Sequence, residues 1–333
     1  SCLRNAPTRN RDANRSVRGE RKTLIGHMIQ IRIETGARLH LGLLDTQVPF
    51  GGLGVMIDCP LTTVRFSPAE SFRCDPAIKQ RAYPIAERLC RFLGRKSLPN
   101  VLIELVQAAP AHCGLGSGTQ ISLAIAEGLS RSFEETLPAE TLACVIADRG
   151  KRSAVGIHGY FDGGLIFESS SGQESSADQR QILNTVDRRV EPPTDWRIVV
   201  FTPTENVPSV FGEDEKQQFG ELVRDARSTR STRSLRRQIE EHILPAAEAG
   251  QFAEFASAVE SYNHASGMLF ASVQGGPYNG PVVSDLIDRI RSHGGAGVGQ
   301  SSWGPGVFAW CDCHESATAL ADQFRSQPVQ TRI

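Results

Sequence analysis

The sequence lacks the features that mark several large classes of protein. Its formal net charge over 333 residues is −1, and this near balance excludes a broadly basic surface of the kind that binds nucleic acid. No apolar run approaches the roughly 18 residues of a membrane-spanning helix, so no membrane span is expected. The eight cysteines are scattered and form no C-x-x-C pair, which argues against a disulfide framework and predicts a reduced, cytoplasmic protein.

Metal-ligand clusters are scarce as well. Residues 311–314 read Cys-Asp-Cys-His, which could ligate a metal. A zinc site ordinarily has a second pair of ligands at a similar spacing, and the sequence supplies none. The cluster is therefore a weak indication of a metal site.

Residues 1–27 have little apolar content and seven basic side chains against Asp12 and Glu20. They lack the apolar stretch of a secretory signal. We predict a disordered basic arm, because so polar a segment cannot bury enough surface to fold, with folded sequence beginning at Met28. Binding to nucleic acid or an anionic surface is the functional alternative for the arm. Whether the arm belongs to the natural protein stays open.

From Met28 onward, short alternating strands and helices rich in small residues interleave, which is typical of an α+β fold. The proline-rich segment 191–194 precedes a strong strand, so we place a boundary there between domains 28–190 and 191–333. The periodicity predicts strands at 29–33, 101–106, 164–167, 196–201 and, as the final strand, 306–310, with helices at about 213–260 and 281–292.

The most informative segment is 110–120, where three glycines lie between an apolar strand and a helix. Such glycines let backbone N–H groups converge on an anion, and the helix start adds unpaired donors. The spacing fits neither G-x-G-x-x-G nor a P-loop. A plain turn capped by Ser117 is the alternative. The candidate phosphate-binding residues are Gly114, Leu115, Gly116, Ser117, Gly118 and Thr119.

Polar side chains also interrupt an apolar run at 35–45. Arg38 and His40 share one face if a strand continues through them, because side chains alternate along a strand. A fixed guanidinium suits the recognition of phosphate or carboxylate, and Asp45 follows shortly after. The alternative is a buried Arg38–Asp45 pair that holds the strand in place.

A second basic segment lies at 148–158. Arg149, Lys151 and Arg152 stand beside Gly150 and Ser153, a composition that suits another anion-contacting turn. A solvated helix end with a capping glycine is the alternative. The histidine at 158 is more often structural than catalytic in such a setting.

The segment 294–306 holds six glycines, a density that indicates close approach of the backbone to another group. Among them stand Gln300, Ser301, Ser302 and Trp303, which could orient a small molecule. A merely structural loop is the alternative. The side chains at 262–264 and 274–278 could line an aryl pocket or simply pack.

Together these segments resemble the GHMP kinase superfamily, in which 110–120 corresponds to the central phosphate loop. The sequence departs from the kinases in two places. It reads Gly-Ser-Gly-Thr-Gln at 116–120, and Val155–Gly156 stand where the kinase Asp-Asn pair would fall. Segments 38–45, 114–120, 149–153 and 297–305 more closely resemble the β-ribofuranosylaminobenzene 5′-phosphate synthase family of methanopterin biosynthesis.

The resemblance implies a two-domain GHMP-kinase-like α+β fold, with a βαβ-containing N-terminal domain and a ferredoxin-like C-terminal α/β sandwich. It implies an enzyme that condenses phosphoribosyl pyrophosphate with 4-aminobenzoate or 4-hydroxybenzoate, with Mg²⁺ as cofactor and a homodimer as assembly. The roles it implies are catalytic for Arg38, His40, Asp45 and Arg152; phosphate-binding for 114–119, Arg149 and Ser153; substrate-binding for Gln300, Ser301, Ser302 and Trp303; and metal-binding for Ser117 and Asp148.

Two other functions stay open at this point. One is an ATP-dependent small-molecule kinase, which the missing aspartate disfavours. The other is a metabolite-binding protein without activity that has kept the phosphate cradle. The sequence does not distinguish 4-aminobenzoate from 4-hydroxybenzoate as the acceptor, and it does not assign a separate role to each arginine.

Overall fold

A computed structural model describes residues 20–25, 28–46, 50–151, 153–169, 183–204 and 228–333. Arg152 and most of the predicted basic arm lie outside these residues. Within the arm, Glu20–Ile25 form strand β1, paired antiparallel with the strand that follows. The prediction of an irregular arm through residue 27 is therefore wrong for its last part. Backbone pairing along the next strand, which composition does not reveal, accounts for the difference.

The first half of the chain forms a sheet in the order β1-β2-β3-β5-β4, with β6 beside β3 and β7 beside β6. Strands β4 and β5 run parallel on either side of helix α1, and this is the expected βαβ unit. Strand β5 covers the predicted strand at 101–106. After β1, the strands are β2 (Met28–Leu43), β3 (Gly52–Pro68), β4 (Arg73–Cys74), β5 (Val101–Gln107), β6 (Leu165–Ser169) and β7 (Thr185–Val190).

Three α-helices pack on this sheet in the described residues: α1 (Lys79–Phe92), α2 (Ser117–Ser132) and α3 (Val155–Asp162). A 3₁₀ turn at Pro76–Ile78 precedes α1, and a π-helical turn, Thr141–Ile146, lies between α2 and α3. Helix α1 buries Ala82, Ala86 and Leu89, a spacing that places them on one face. The opposite face of α1 is left to polar side chains.

The second half forms an antiparallel sheet in the order β11-β8-β10-β9. Strand, helices, strand, strand, helix and strand follow one another along the chain, which is the ferredoxin-like arrangement expected. The elements are β8 (Arg197–Pro203), α4 (Ser228–Gln238), a π turn (Ile239–Ile243), α5 (Leu244–Ala249), α6 (Phe252–Gly267), a 3₁₀ turn (Met268–Phe270), α7 (Ala271–Gln274), α8 (Gly280–Ser292), β9 (Ala296–Gln300), β10 (Val307–Cys311), α9 (His314–Asp322) and β11 (Val329–Arg332).

The prediction that 306–310 is the final strand is wrong, because α9 and β11 follow it. Strand β11 is only four residues long, Val329–Arg332, and buries fully only Val329. So short a strand carries almost no alternating apolar signal. Its backbone pairs with β8 and makes the edge of the second sheet.

A shared core joins the two halves. Leu39 and Leu41 of β2 pack in one apolar cluster with Phe255 and Tyr262 of α6 and Phe308 of β10. All five side chains are at most 1% exposed. Since burial of apolar surface drives docking, the halves are fixed against each other, and the cleft between them has defined walls.

Candidate active site

A cleft with a volume of about 850 Å³ lies where the two halves meet. Two groups of side chains line it. The basic patch consists of Arg81, Arg88, Arg149 and Lys151, and the aromatic patch of Leu43, Phe270 and Trp303. Arg38 and His40 of β2 line the cleft as well, as do Gln300 and Ser302 of the glycine-rich segment.

The loop before α2 turns at two glycines in the left-handed backbone conformation. Gly114 and Gly116 have φ of +77° and +69°, a left-handed conformation that glycine adopts without strain. Gly116, and not Ser117, is the N-cap of α2. The Ser117 hydroxyl points instead to the Pro110 carbonyl at 3.5 Å, so Ser117 does not cap this turn. Leu115 is buried in the core.

Helix α2, more than the glycines themselves, faces the cleft. Thr119 and Ser122 line it from the first two turns. The side chain of Arg38 lies beside the loop, because a Cβ at Gly116 would be 3.1 Å from the Arg38 Cβ. The Arg38 N–H also donates to the Leu115 carbonyl at 3.0 Å. The phosphate loop and β2 are thus held together at this point.

Asp45 does not line the cleft, contrary to its predicted catalytic role. Its carboxylate accepts from the Thr46 N–H at 2.7 Å and from the Thr232 hydroxyl at 2.9 Å. Thr232 belongs to α4, so Asp45 ties that helix to the end of β2. A carboxylate in an apolar run indicates a buried polar contact as readily as catalysis, and sequence alone does not separate the two.

A row of polar side chains, His40, the half-buried Ser153 and Glu168, extends inward from the wall of the cleft. The His40 Nε2 is 3.3 Å from the Ser153 hydroxyl, and Glu168, which is fully buried on β6, accepts from the Ala154 N–H at 2.7 Å. Burial, with a smaller contribution from the charge of Arg38, lowers the pKa of His40 to about 3. Burial raises the pKa of Glu168 to about 7, against the opposing effect of its hydrogen bonds to Ser153 and Ala154. Sequence reasoning missed Glu168.

The segment 148–151 supplies the cleft with charge. The Arg149 guanidinium donates to the Ser122 hydroxyl at 3.0 Å. Asp148, at φ +55°, pairs with Lys151 at 2.8 Å. Burial and then the neighbouring Arg81 lower the pKa of Arg149. Asp148, Arg149, Lys151 and Ser153 all line the cleft, whereas Arg152 lies outside the described residues; contact with an anion there stays a prediction.

Arg81 and Arg88 of α1 were not identified from the sequence. Both line the cleft, and Arg88 Nε donates to the Ile146 carbonyl at 2.7 Å. Arginines on an amphipathic helix ordinarily form a solvated face. Only the packing of α1 against α2 turns this face towards the cleft.

Some side chains of the glycine-rich segment after α8 line the cleft, and others are buried in the core. Ser301 is fully buried; its hydroxyl donates to the Gly114 carbonyl at 2.7 Å and accepts from the His40 N–H at 3.0 Å. Its predicted contact with substrate is therefore wrong. The Gln300 side-chain oxygen accepts from the Asn279 N–H, and its amide nitrogen donates to the Ser302 carbonyl. The rings of Trp303 and Phe270 pack edge to face with their centroids 5.0 Å apart.

Two weaker sequence signals have structural explanations. His158 Nε2 lies 2.8 Å from the Asn184 carbonyl, as a structural histidine does. Cys313 caps the first turn of α9 in a reciprocal arrangement with Ser316. No group of three His, Cys, Asp or Glu side chains is placed to hold a metal within the part of the chain that the structure describes. Over those same residues, no helix combines the length and apolarity needed to cross a membrane.

Two family models match the chain: the GHMP kinases N-terminal domain over residues 80–164, and the GHMP kinases C-terminal domain over 243–330. A β-ribofuranosylphenol 5′-phosphate synthase of Archaeoglobus fulgidus is 26% identical in an alignment of 318 residues that covers 91% of this chain and 95% of that protein. The protein of that name from Methanothermobacter thermautotrophicus is 27% identical in an alignment of 305 residues that covers 86% of this chain and 90% of that protein.

The fold is shared with solved kinases. The phosphomevalonate kinase of Streptococcus pneumoniae superposes with a TM-score of 0.67 at 15% identity, covering 92% of this chain and 99% of the kinase. The predicted fold class and the resemblance to the synthases are thereby confirmed. The chain belongs to the GHMP kinase superfamily and is related over most of its length to the β-ribofuranosylphenol 5′-phosphate synthases.

Proposed function

We propose that the protein transfers a phosphoribosyl group from phosphoribosyl pyrophosphate to 4-aminobenzoate or 4-hydroxybenzoate, with loss of CO₂ and diphosphate. The observation that carries the proposal is the relationship to synthases whose name joins a ribofuranosyl phosphate to a phenol. The division of the cleft is in keeping with it. A basic patch suits the phosphates of the donor, and an aromatic patch suits the ring of the acceptor.

The reaction needs positive charge where the diphosphate leaves and an apolar surface where the aromatic ring binds. The bond from ribose C1′ to the diphosphate breaks, the diphosphate keeps the electron pair, and the sugar gains oxocarbenium character. The ring carbon that bears the carboxylate bonds to C1′, and the electron pair of the ring–carboxylate bond returns to the ring as CO₂ leaves. Cationic side chains would stabilise the departing diphosphate, and the electron-donating 4-substituent would stabilise the ring.

Individual roles follow from position in the cleft. Arg38 of β2, whose side chain lies beside the start of α2, and Arg149 would bind phosphate groups, with the N–H groups of the first turn of α2 as further donors. Gln300 and Trp303 would hold the aromatic acid. His40 would act as a neutral hydrogen-bonding group, because its pKa of about 3 keeps it uncharged near neutral pH.

A Mg²⁺ ion would accompany the diphosphate of a donor bound in the cleft. Asp148 is the one carboxylate among the described residues that line the cleft, and Mg²⁺ in phosphate sites is ordinarily held by one or two carboxylates together with phosphate oxygens and water. Asp148 would hold it, whereas the Ser117 hydroxyl is turned to the Pro110 carbonyl. When bound, the ion neutralises charge on the diphosphate.

Phosphoryl transfer has less support from the site. The kinase aspartate would fall at Val155–Gly156, and both residues are buried at the start of α3. A Cβ on Gly156 would lie 3.6 Å from Arg38 Nε. The position therefore offers no carboxylate to orient a hydroxyl nucleophile, which a kinase of this kind would need.

The decisive assay mixes the purified protein with Mg²⁺, phosphoribosyl pyrophosphate and carboxyl-labelled 4-aminobenzoate or 4-hydroxybenzoate. We expect labelled CO₂ and diphosphate in equal amounts with at least one acid, and a large loss of both in Arg38→Ala. No labelled CO₂ from either acid contradicts the proposal. ATP consumption with a small alcohol would indicate a kinase instead, and binding without turnover a metabolite-binding protein.

A further inference from the structure

We propose that Arg81 and Arg88 of α1, together with Arg149, form the subsite that holds the diphosphate of the phosphoribosyl donor. The subsite rests on the proposed function for the identity of its ligand. Neither α1 arginine belongs to the glycine-rich motifs, so the assignment depends on where the fold places them.

Helix α1 presents two different faces. Its apolar face packs against the sheet and α2, with Ala82, Ala86 and Leu89 buried. Its other face turns Arg81, Pro84 and Arg88 to the cleft, at the i, i+3, i+7 spacing that aligns side chains along a helix. Two guanidiniums that lie two turns apart on the helix thus reach the same cavity.

Hydrogen bonds to neighbouring elements hold two of the three guanidiniums, and the third lies against α2. Arg88 is fixed to the Ile146 carbonyl at 2.7 Å and Arg149 to the Ser122 hydroxyl at 3.0 Å. The terminal nitrogens of Arg81 would lie 3.4 Å from a Cβ at Gly118, which places them against the first turn of α2. The cluster therefore surrounds a helix start that already favours anions.

The cluster brings like charges together. The pKa of Arg149 is lowered by its burial first and then by the charge of Arg81 and, to a smaller extent, of Arg88, against the opposing charge of Asp148, so the three arginine side chains act on one another. The carboxylate of Asp148 pairs with Lys151 at 2.8 Å. Positive charges held this close cost free energy that a multiply charged anion offsets on binding.

The change in charge during the reaction favours the diphosphate, and not the benzoate carboxylate, as the ligand of the arginine cluster. The carboxylate loses its charge as CO₂ forms, so cations gathered around it would stabilise the ground state and oppose the reaction. The diphosphate gains charge as its bond to C1′ breaks, so the same cations lower the barrier. The ribose 5′-phosphate does not change charge in either step.

Calorimetric titration with Mg²⁺ and inorganic pyrophosphate tests the subsite without requiring turnover. We expect Arg81→Ala to raise the Kd for pyrophosphate about tenfold, as for the loss of one charge-assisted hydrogen bond. Arg91→Ala is the matched control, since Arg91 is exposed on the same helix and does not line the cleft; its Kd should stay within about twofold of wild type. Thermal unfolding confirms that both variants fold.

A parallel titration with ribose 5-phosphate separates the two phosphate sources. The subsite is overturned if wild type does not bind pyrophosphate, if Arg81→Ala binds it as wild type does, if Arg91→Ala weakens it equally, or if Arg81→Ala weakens ribose 5-phosphate as much. If the proposed function is wrong and the subsite is right, pyrophosphate binding still depends on Arg81 although neither benzoate releases CO₂.

Discussion

The two patches of the cleft differ in which parts of the chain build them. The basic patch comes wholly from the first half, from α1 and the segment after Ile146. The aromatic patch combines Leu43 of β2 with Phe270 and Trp303 of the second half. The basic patch therefore needs one folded half, whereas the aromatic patch exists only where the two halves are docked. Affinity for the aromatic ligand should report on that docking.

Polar contacts on β2 maintain the docking. The Tyr262 hydroxyl donates to the Gly42 carbonyl at 2.7 Å and the Ser266 hydroxyl to the Leu43 carbonyl at 2.8 Å. The Asn263 amide donates to the Leu41 carbonyl and also to the Gln300 carbonyl. Side chains of α6 thus satisfy the end of β2, where strand pairing is irregular. The neighbours at 262–264 that could have lined an aryl pocket mainly join the two halves.

The largest effect is expected from Gly114→Ala, which breaks the contact between the phosphate loop and the second half. A Cβ there would lie 2.0 Å from the Ser301 carbonyl oxygen, and φ is +77°. We expect a loss on the order of 4 kcal/mol in the free energy of unfolding, from backbone strain and overlap together. Gly94→Ala is the matched control: φ is +66° with nothing within 4 Å, so about 1 kcal/mol is expected. Equal losses in denaturant titrations would contradict this explanation.

The row of polar side chains that includes the buried His40 and Glu168 gives a pH-dependent test. Glu168 has a pKa of about 7 against 4.5 ordinarily, so between these values the native state keeps a proton that the unfolded state has lost. Its contribution to stability is complete below pH 4.5 and is lost as pH rises towards 7, by on the order of 3 kcal/mol in total. Glu168→Gln should remove this decline.

The measurement is the difference in unfolding free energy between wild type and Glu168→Gln at several pH values. His40, with its pKa lowered to about 3, adds a rise in stability between pH 3 and 6.5, but both proteins retain it. The difference should favour the variant increasingly up to pH 7. A pH-independent difference would show that Glu168 is charged in the native state.

These residues also show what sequence reasoning could reach. The sequence predicts Arg38, Arg149 and Trp303 as site residues, and all three line the cleft, because glycine-rich turns with polar neighbours are local patterns with a physical meaning. Arg81 and Glu168 were missed because an arginine on a helix and a glutamate in a strand carry no local signal; packing alone puts one in the cleft and buries the other. Ser301 was misread because glycine-rich backbone also packs closely against other backbone.

The aromatic patch itself is tested by Trp303→Leu. Loss of the ring that meets Phe270 at 5.0 Å should raise the KM for the aromatic acid about tenfold, as for one lost aromatic contact, with little change in the KM for the donor. Trp196→Leu is the matched control, since Trp196 packs against Phe252 and Phe255 away from the cleft. A rise in the donor KM, or an equal effect in the control, would contradict the division of the cleft.

The smallest effect is expected from Lys151→Ala, at the rim of the basic patch. The Lys151 side chain is 62% exposed and pairs with the half-exposed Asp148, so solvent and salt screen its charge, and the Kd for pyrophosphate should rise about twofold or less. The change should shrink further as salt is raised, whereas the effect of Arg81→Ala should persist because that side chain is half-buried against α2. Titrations at low and high ionic strength give the comparison. Equal salt dependence in the two variants would mean that the basic patch attracts anions through its overall field and has no fixed binding geometry.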